Sequence, residues 1–146
     1  MKKILVVLLA LLLASCSHNG NSKKGGKSSP AANQSVQSHG AAIHAVYTPD
    51  QALGLIQQKK NLLIIDVRSP EELKEGRLQN SILIPIWNIM RGEYNLPKDR
   101  PILLVCAVGG RSYAAMQMLA HNGYPELYSL KGGLDEWKKE GLPVVY

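Results

Sequence analysis

Residues 101–112 read Pro-Ile-Leu-Leu-Val-Cys-Ala-Val-Gly-Gly-Arg-Ser. The apolar run 101–105 has no polar alternation, as expected of a strand buried on both faces. Gly109-Gly110 breaks the chain. A helical pattern then runs from Ser112 to about His121, with Ala114, Ala115, Met118 and Leu119 on its inner side and Asn122-Gly123 as its stop. A buried strand that turns tightly into a helix is the unit of an α/β sheet.

The flanking chain repeats that unit. Thr48-Pro49-Asp50-Gln51 carries an N-cap, a proline at the first helical position and a capping-box glutamine. It starts a helix running to about Lys60. Asn61 to Val67 is a second buried strand. Ser69-Pro70-Glu71-Glu72 starts another helix, which ends at Gly76. Ile82 to Ile86 is expected as a strand and 87–100 as a polar connection with room for a short helix. Leu127 to Leu130 is a short strand, Leu134 to Glu140 a short helix, and Pro143 to Tyr146 an apolar tail. Strands alternating with helices predict an α/β fold with a mainly parallel sheet, whose site lies beyond the carboxyl ends of the strands.

That edge is where the chemistry-bearing residues fall. Cys106 follows a strand and precedes a helix. The helix dipole, the converging N–H groups of a tight loop and the fixed charge of Arg111 all favour a thiolate there. Cys106 and Arg111 are the candidate catalytic residues. Ala107, Val108, Gly109, Gly110 and Ser112 form the candidate binding loop. Asp66 and Arg68 leave a strand toward the same edge. They either shape the pocket or act structurally, with Arg68 paired to Glu72 across the turn. Trp137 is read as core. Trp87, in the connection, is read as structural, with lining of the pocket mouth as the functional alternative. His121 lies far from Cys106 along its helix, which excludes a Cys–His pair. His18, His39 and His44 have no partnering Cys or carboxylate spacing, so neither a metal nor a cofactor is expected.

Four stretches in order resemble rhodanese-like sulfurtransferases. Cys106 to Ser112 is similar to their active-site loop. Ile65-Asp66-Val67-Arg68 with Glu72 resembles the first motif, and Gly76 to Pro85 the second. Leu130-Lys131-Gly132-Gly133-Leu134-Asp135-Glu136-Trp137, with Gly141-Leu142-Pro143-Val144, resembles the C-terminal signature. The resemblance implies one rhodanese-like domain, a five-stranded mainly parallel sheet flanked by helices. It also implies transfer of a sulfane sulfur from thiosulfate, polysulfide or a persulfide to cyanide or a thiol. A Cys106 persulfide held by loop N–H groups and Arg111 would be the intermediate. The non-enzymatic alternative is a module that binds a partner protein.

Two features bear on the substrate. Related phosphatases and arsenate reductases use Cys-x5-Arg, whereas four residues separate Cys106 from Arg111. The shorter loop suits one sulfur atom better than a tetrahedral oxyanion. The loop also has no charge at Ala107, Val108 or Gly110, which makes the thiosulfate dianion a poor donor. Arg77 stands where the family often has His.

The N-terminal part reads differently. Lys2-Lys3 precedes an eleven-residue apolar run, Ile4 to Ala14. Spanning a bilayer takes roughly 20 residues, so the run is expected to be a signal-peptide core. It ends Leu13-Ala14-Ser15-Cys16, which resembles a bacterial lipobox. By that resemblance residues 1–15 are removed, Cys16 is lipidated, and the protein sits in a bacterial cell envelope facing the periplasm or the outside. His18 in place of Asp favours the outer membrane. Residues 16–42 are the anchor and a tether with six Ser and four Gly. At about 5–6 Å × √n the tether reaches roughly 25–30 Å. Residues 43–146 are the domain.

Of the formal charge of +6, all but one unit belongs to the leader and tether. Residues 43–146 carry 12 of the 17 basic residues and all 11 acidic ones, a net of +1. No nucleic-acid-binding face is expected. With Cys16 lipidated, Cys106 would be the lone thiol, so no disulfide framework is expected.

Overall fold

The computed structural model describes residues 41–146. Cys16, the leader and the tether as far as residue 40 lie outside the described residues. Five strands form one sheet: β1 (Ile43–Tyr47), β2 (Leu63–Asp66), β3 (Ile82–Leu83), β4 (Ile102–Val105) and β5 (Glu126–Leu130). Their order is β1-β5-β4-β2-β3. Every strand pair is parallel. One antiparallel bridge, Arg77 to Val145, ties the C-terminal tail to the segment before β3. The helices are α1 (Pro49–Gln58), α2 (Ile86–Met90), α3 (Gly110–His121) and α4 (Gly133–Lys139). A 3-10 helix spans Pro70–Glu75.

β4 is central, and its alternation builds both halves of the core. Ile102, Leu104 and Cys106 point to a layer with Ile65, Ile89, Ala115, Met116 and Leu119, beneath α2 and α3. Leu103 and Val105 point to the opposite layer with Ala52, Leu55, Leu134 and Trp137, beneath α1 and α4. Both faces are covered, which is why the strand is uniformly apolar. Trp137 is core, and its Nε1–H donates to the carbonyl of Pro143 at 3.0 Å.

The α1 start is built as its sequence predicts. The Thr48 N–H donates to Gln51 Oε1 at 3.0 Å, and the Gln51 N–H donates to Thr48 Oγ1 at 3.4 Å. Four expectations need correction. The strand expected over Ile82 to Ile86 is only two residues long; two further backbone bonds follow, Ile84 N–H to Asp66 O and Ile86 N–H to Val67 O. Pro85, which has no N–H, ends the strand and leads into α2. The helix from Ser69 is a single 3-10 stretch. It buries no residue fully, so no packed face supports a longer α-helix. On α3, Met116 is in the core, while Ala114 and Met118 are only half-buried. Finally, β1 was not expected as a strand. It pairs with β5 along its length, and His44 Nε2 bonds the Tyr124 carbonyl at 2.9 Å.

Candidate active site

β4 ends at Val105, and the next residue, Cys106, is fully buried at the carboxyl edge of the sheet. The chain then wraps around its sulfur. The Gly109 N–H donates to Cys106 Sγ at 3.1 Å and the Ser112 N–H at 3.4 Å. Ser112 Oγ lies 3.5 Å from the same sulfur. These donors are aimed at one atom from the start of a twelve-residue helix, where the dipole also favours negative charge. Gly109 has φ +93°, a conformation that L side chains rarely adopt. A Cβ there would also lie 3.0 Å from the backbone nitrogen of Gly132.

The loop is braced from behind by α4. The Cys106 carbonyl accepts the Leu134 N–H at 2.8 Å, and the Ala107 carbonyl accepts the Asp135 N–H at 3.0 Å. This approach needs glycine at 133, because a Cβ there would overlap both carbonyl oxygens. Gly132 and Gly133 therefore support the site without touching the sulfur. The signal available in the sequence was a glycine pair directly before a helix. Ala107 is half-buried, while Val108 and Gly110 face solvent, Val108 at 67% exposure.

Arg111, in the first turn of α3, and Glu72, in the 3-10 turn, meet beside the Cys106 loop. Arg111 Nη1 donates to Glu72 Oε2 at 2.7 Å, and Nη2 to Oε1 at 2.6 Å. The Ser69 N–H donates to Glu72 Oε2 at 2.9 Å, fixing the carboxylate from its other side. Chiefly through the Arg111 hydrogen bonds, the Glu72 carboxyl is held down to about 2, and Arg111 is raised in return. This overturns the expected pairing of Glu72 with Arg68. Arg68 instead grips Asp66, with Nε to Oδ1 at 3.0 Å and Nη2 to Oδ2 at 2.8 Å. Its remaining bonds go to the carbonyls of Glu72 and Gly76. Asp66 and Arg68 are both buried, a fully hydrogen-bonded pair that fixes the turn after β2.

Behind Cys106 lies a residue that sequence reasoning missed. Ser129, on β5 and buried, donates its hydroxyl to Ser112 Oγ at 3.0 Å, and the Ser112 hydroxyl donates to the Gly109 carbonyl at 3.0 Å. The polar serine inside the apolar run of β5 was the available signal. Trp87 sits on α2 at 38% exposure, and His121 is exposed at the end of α3. Among the described residues no three His, Cys, Asp or Glu side chains gather to hold a metal. The arrangement can stabilise a sulfur anion on Cys106.

Comparison with known proteins points the same way. The family model of the rhodanese-like domain matches residues 48–140. A sulfurtransferase of Allochromatium vinosum is 34% identical over 86 residues, covering 59% of this chain and 80% of that protein. A thiosulfate sulfurtransferase GlpE of Actinobacillus succinogenes is 32% identical over 99 residues, covering 66% and 86%. The crystal structure of a rhodanese-related protein from Thermoplasma volcanium superposes with a TM-score of 0.62 at 33% identity, covering 69% of this chain and 97% of that one.

Proposed function

Because this chain belongs to the rhodanese-like domain family, we propose that it is a sulfurtransferase working through a persulfide on Cys106. The observation that carries the reading is the pair of N–H donors, from Gly109 and Ser112, aimed at Cys106 Sγ within a four-residue Cys-to-Arg loop. The thiolate attacks the outer sulfur of a donor, thiosulfate or a persulfide. The Sγ–S bond forms, the donor S–S bond breaks, and sulfite or a thiolate leaves with the electron pair. The loop N–H groups then face a persulfide anion. Cyanide or a thiol attacks its terminal sulfur and regenerates the Cys106 thiolate. Splitting the transfer in two is ordinary covalent catalysis. Arg111, held by Glu72, frames the mouth.

The full chain, purified in detergent, is incubated with thiosulfate or polysulfide, and its intact mass is taken before and after cyanide. A gain of one sulfur that cyanide removes and that Cys106→Ser abolishes supports the reading. No gain from either donor overturns it. Full burial of Cys106 favours one rival, a module that binds a partner protein without chemistry. A Cys106→Ser variant that fully rescues a deletion strain would favour that rival.

The same reading includes an address. Cys16 carries the lipid, and the domain works at a bacterial envelope, on the outer membrane where there is one. Several acyl chains make such attachment durable, whereas one is marginal. Radiolabelled palmitate entering the wild-type chain but not Cys16→Ser supports the anchor, and equal labelling of both argues against it.

A further inference from the structure

The loop that encloses Cys106 has a single formal charge, on Arg111, since Ala107, Val108, Gly109 and Gly110 are uncharged. That charge is already balanced. Both Arg111 Nη atoms are committed to the two oxygens of Glu72, at 2.6 and 2.7 Å. The Ser69 N–H holds that carboxylate in place. The neighbouring cation, Arg68, is likewise committed to buried Asp66.

We infer that Glu72 sets donor specificity: by balancing Arg111, it turns the site from dianionic donors such as thiosulfate toward low-charge persulfides, R–S–S⁻. The inference rests on the sulfur-transfer reading above. The two donors deliver the same sulfur. In each case the Sγ–S bond forms as the donor S–S bond breaks, and no external oxidant or reductant is needed. They differ in what else must approach the mouth. Thiosulfate brings two negative charges and expels sulfite, with no uncompensated cation of the loop to meet them. A persulfide with a neutral R group brings one charge, carried on the sulfur that the loop N–H groups face. Glu72 is a positioning residue that acts through Arg111, and its two bonds also fix the orientation of the guanidinium.

The test compares wild type, Glu72→Gln and Glu72→Asp as full chains, with cyanide as acceptor. The donors are thiosulfate and 2-hydroxyethyl persulfide. Glu72→Gln keeps the shape and frees the Arg111 charge. It is expected to raise kcat/KM for thiosulfate about tenfold relative to the persulfide, and to make the thiosulfate rate fall with added salt. Glu72→Asp keeps the charge and is expected to keep the wild-type ratio. An equal loss with both donors, or an unchanged ratio, overturns the inference and leaves Glu72 as a brace only. The wild type gives an independent check if Glu72→Gln misfolds. Its thiosulfate kcat/KM should be nearly flat between 20 and about 200 mM salt, a range that shortens the Debye length about threefold. A steep fall overturns the charge balance. Transfer from neither donor overturns the sulfur-transfer reading, and this inference with it.

Discussion

Glu72 and Arg111 are 39 residues apart in sequence and joined by two hydrogen bonds of 2.6 and 2.7 Å, one to each carboxylate oxygen. The bond links the 3-10 turn after β2 to the first turn of α3. The start of the Cys106 loop helix is therefore tied to a second, independent segment as well as to its own strand.

That pair gives the fold an acid-sensitive joint. The Glu72 carboxyl titrates near its ordinary 4.5 when the chain is unfolded and at about 2 in the fold. Its contribution is complete above about 4.5 and is lost as pH falls toward 2. Thermal melts of the wild type should therefore show Tm falling through that window. In Glu72→Gln the same window should be flatter.

The two loop glycines should behave differently. Gly109 has φ +93° and lies against Gly132, whereas a Cβ on Gly110 would meet nothing within 4 Å. Gly109→Ala is expected to cost about 1–3 kcal/mol and to lower sulfur transfer at least tenfold. Gly110→Ala should stay within about 0.5 kcal/mol of wild type. Urea titrations and the mass-gain assay read both.

Asp66→Asn should be the most damaging of the charge changes. It would leave the Arg68 guanidinium, 1% exposed, without its counter-ion. Breaking such a pair from one side typically costs about 3–5 kcal/mol. Loss of cooperative unfolding, or a midpoint lowered accordingly in denaturant, checks this.

Ser129→Ala removes the hydroxyl that donates to Ser112 Oγ and leaves the rest of β5 intact. The Ser112 hydroxyl then loses one of its fixed partners and is less firmly aimed at the sulfur side of the loop. The expected result is a small stability change, about 1 kcal/mol, with a slower sulfur mass gain on Cys106. An unchanged rate of mass gain would assign Ser129 to packing alone.

The parts of the fold legible in sequence were those with a local cause. The apolar runs of β2, β4 and β5 read correctly because both faces are buried. The Thr48 cap read correctly because its partner is three residues away. β1 was not read because it is an edge strand whose Ile43, His44 and Val46 face solvent, so no apolar pattern marks it. Ile82 to Ile86 was read as too long a strand because apolarity outweighed the missing N–H of Pro85. At the site, the sulfur and its loop were visible as one contiguous motif. The partner of Glu72 was not. Spacing of four offered Arg68, and nothing in a linear sequence marks a residue 39 positions on. The brace from Gly132 and Gly133 was visible only as a similarity of motif, without its mechanical role.

The bracing of the Cys106 loop by α4 bears on the order of synthesis. β1, the first strand, pairs with β5, the last, and the Cys106 and Ala107 carbonyls are held by Leu134 and Asp135. Contacts this distant along the chain form late. A nascent chain that has released Cys106 but not yet residue 135 has the thiol without its enclosure. Through that interval the loop around the sulfur is without its α4 brace. The brace forms only when nearly the whole polypeptide has emerged.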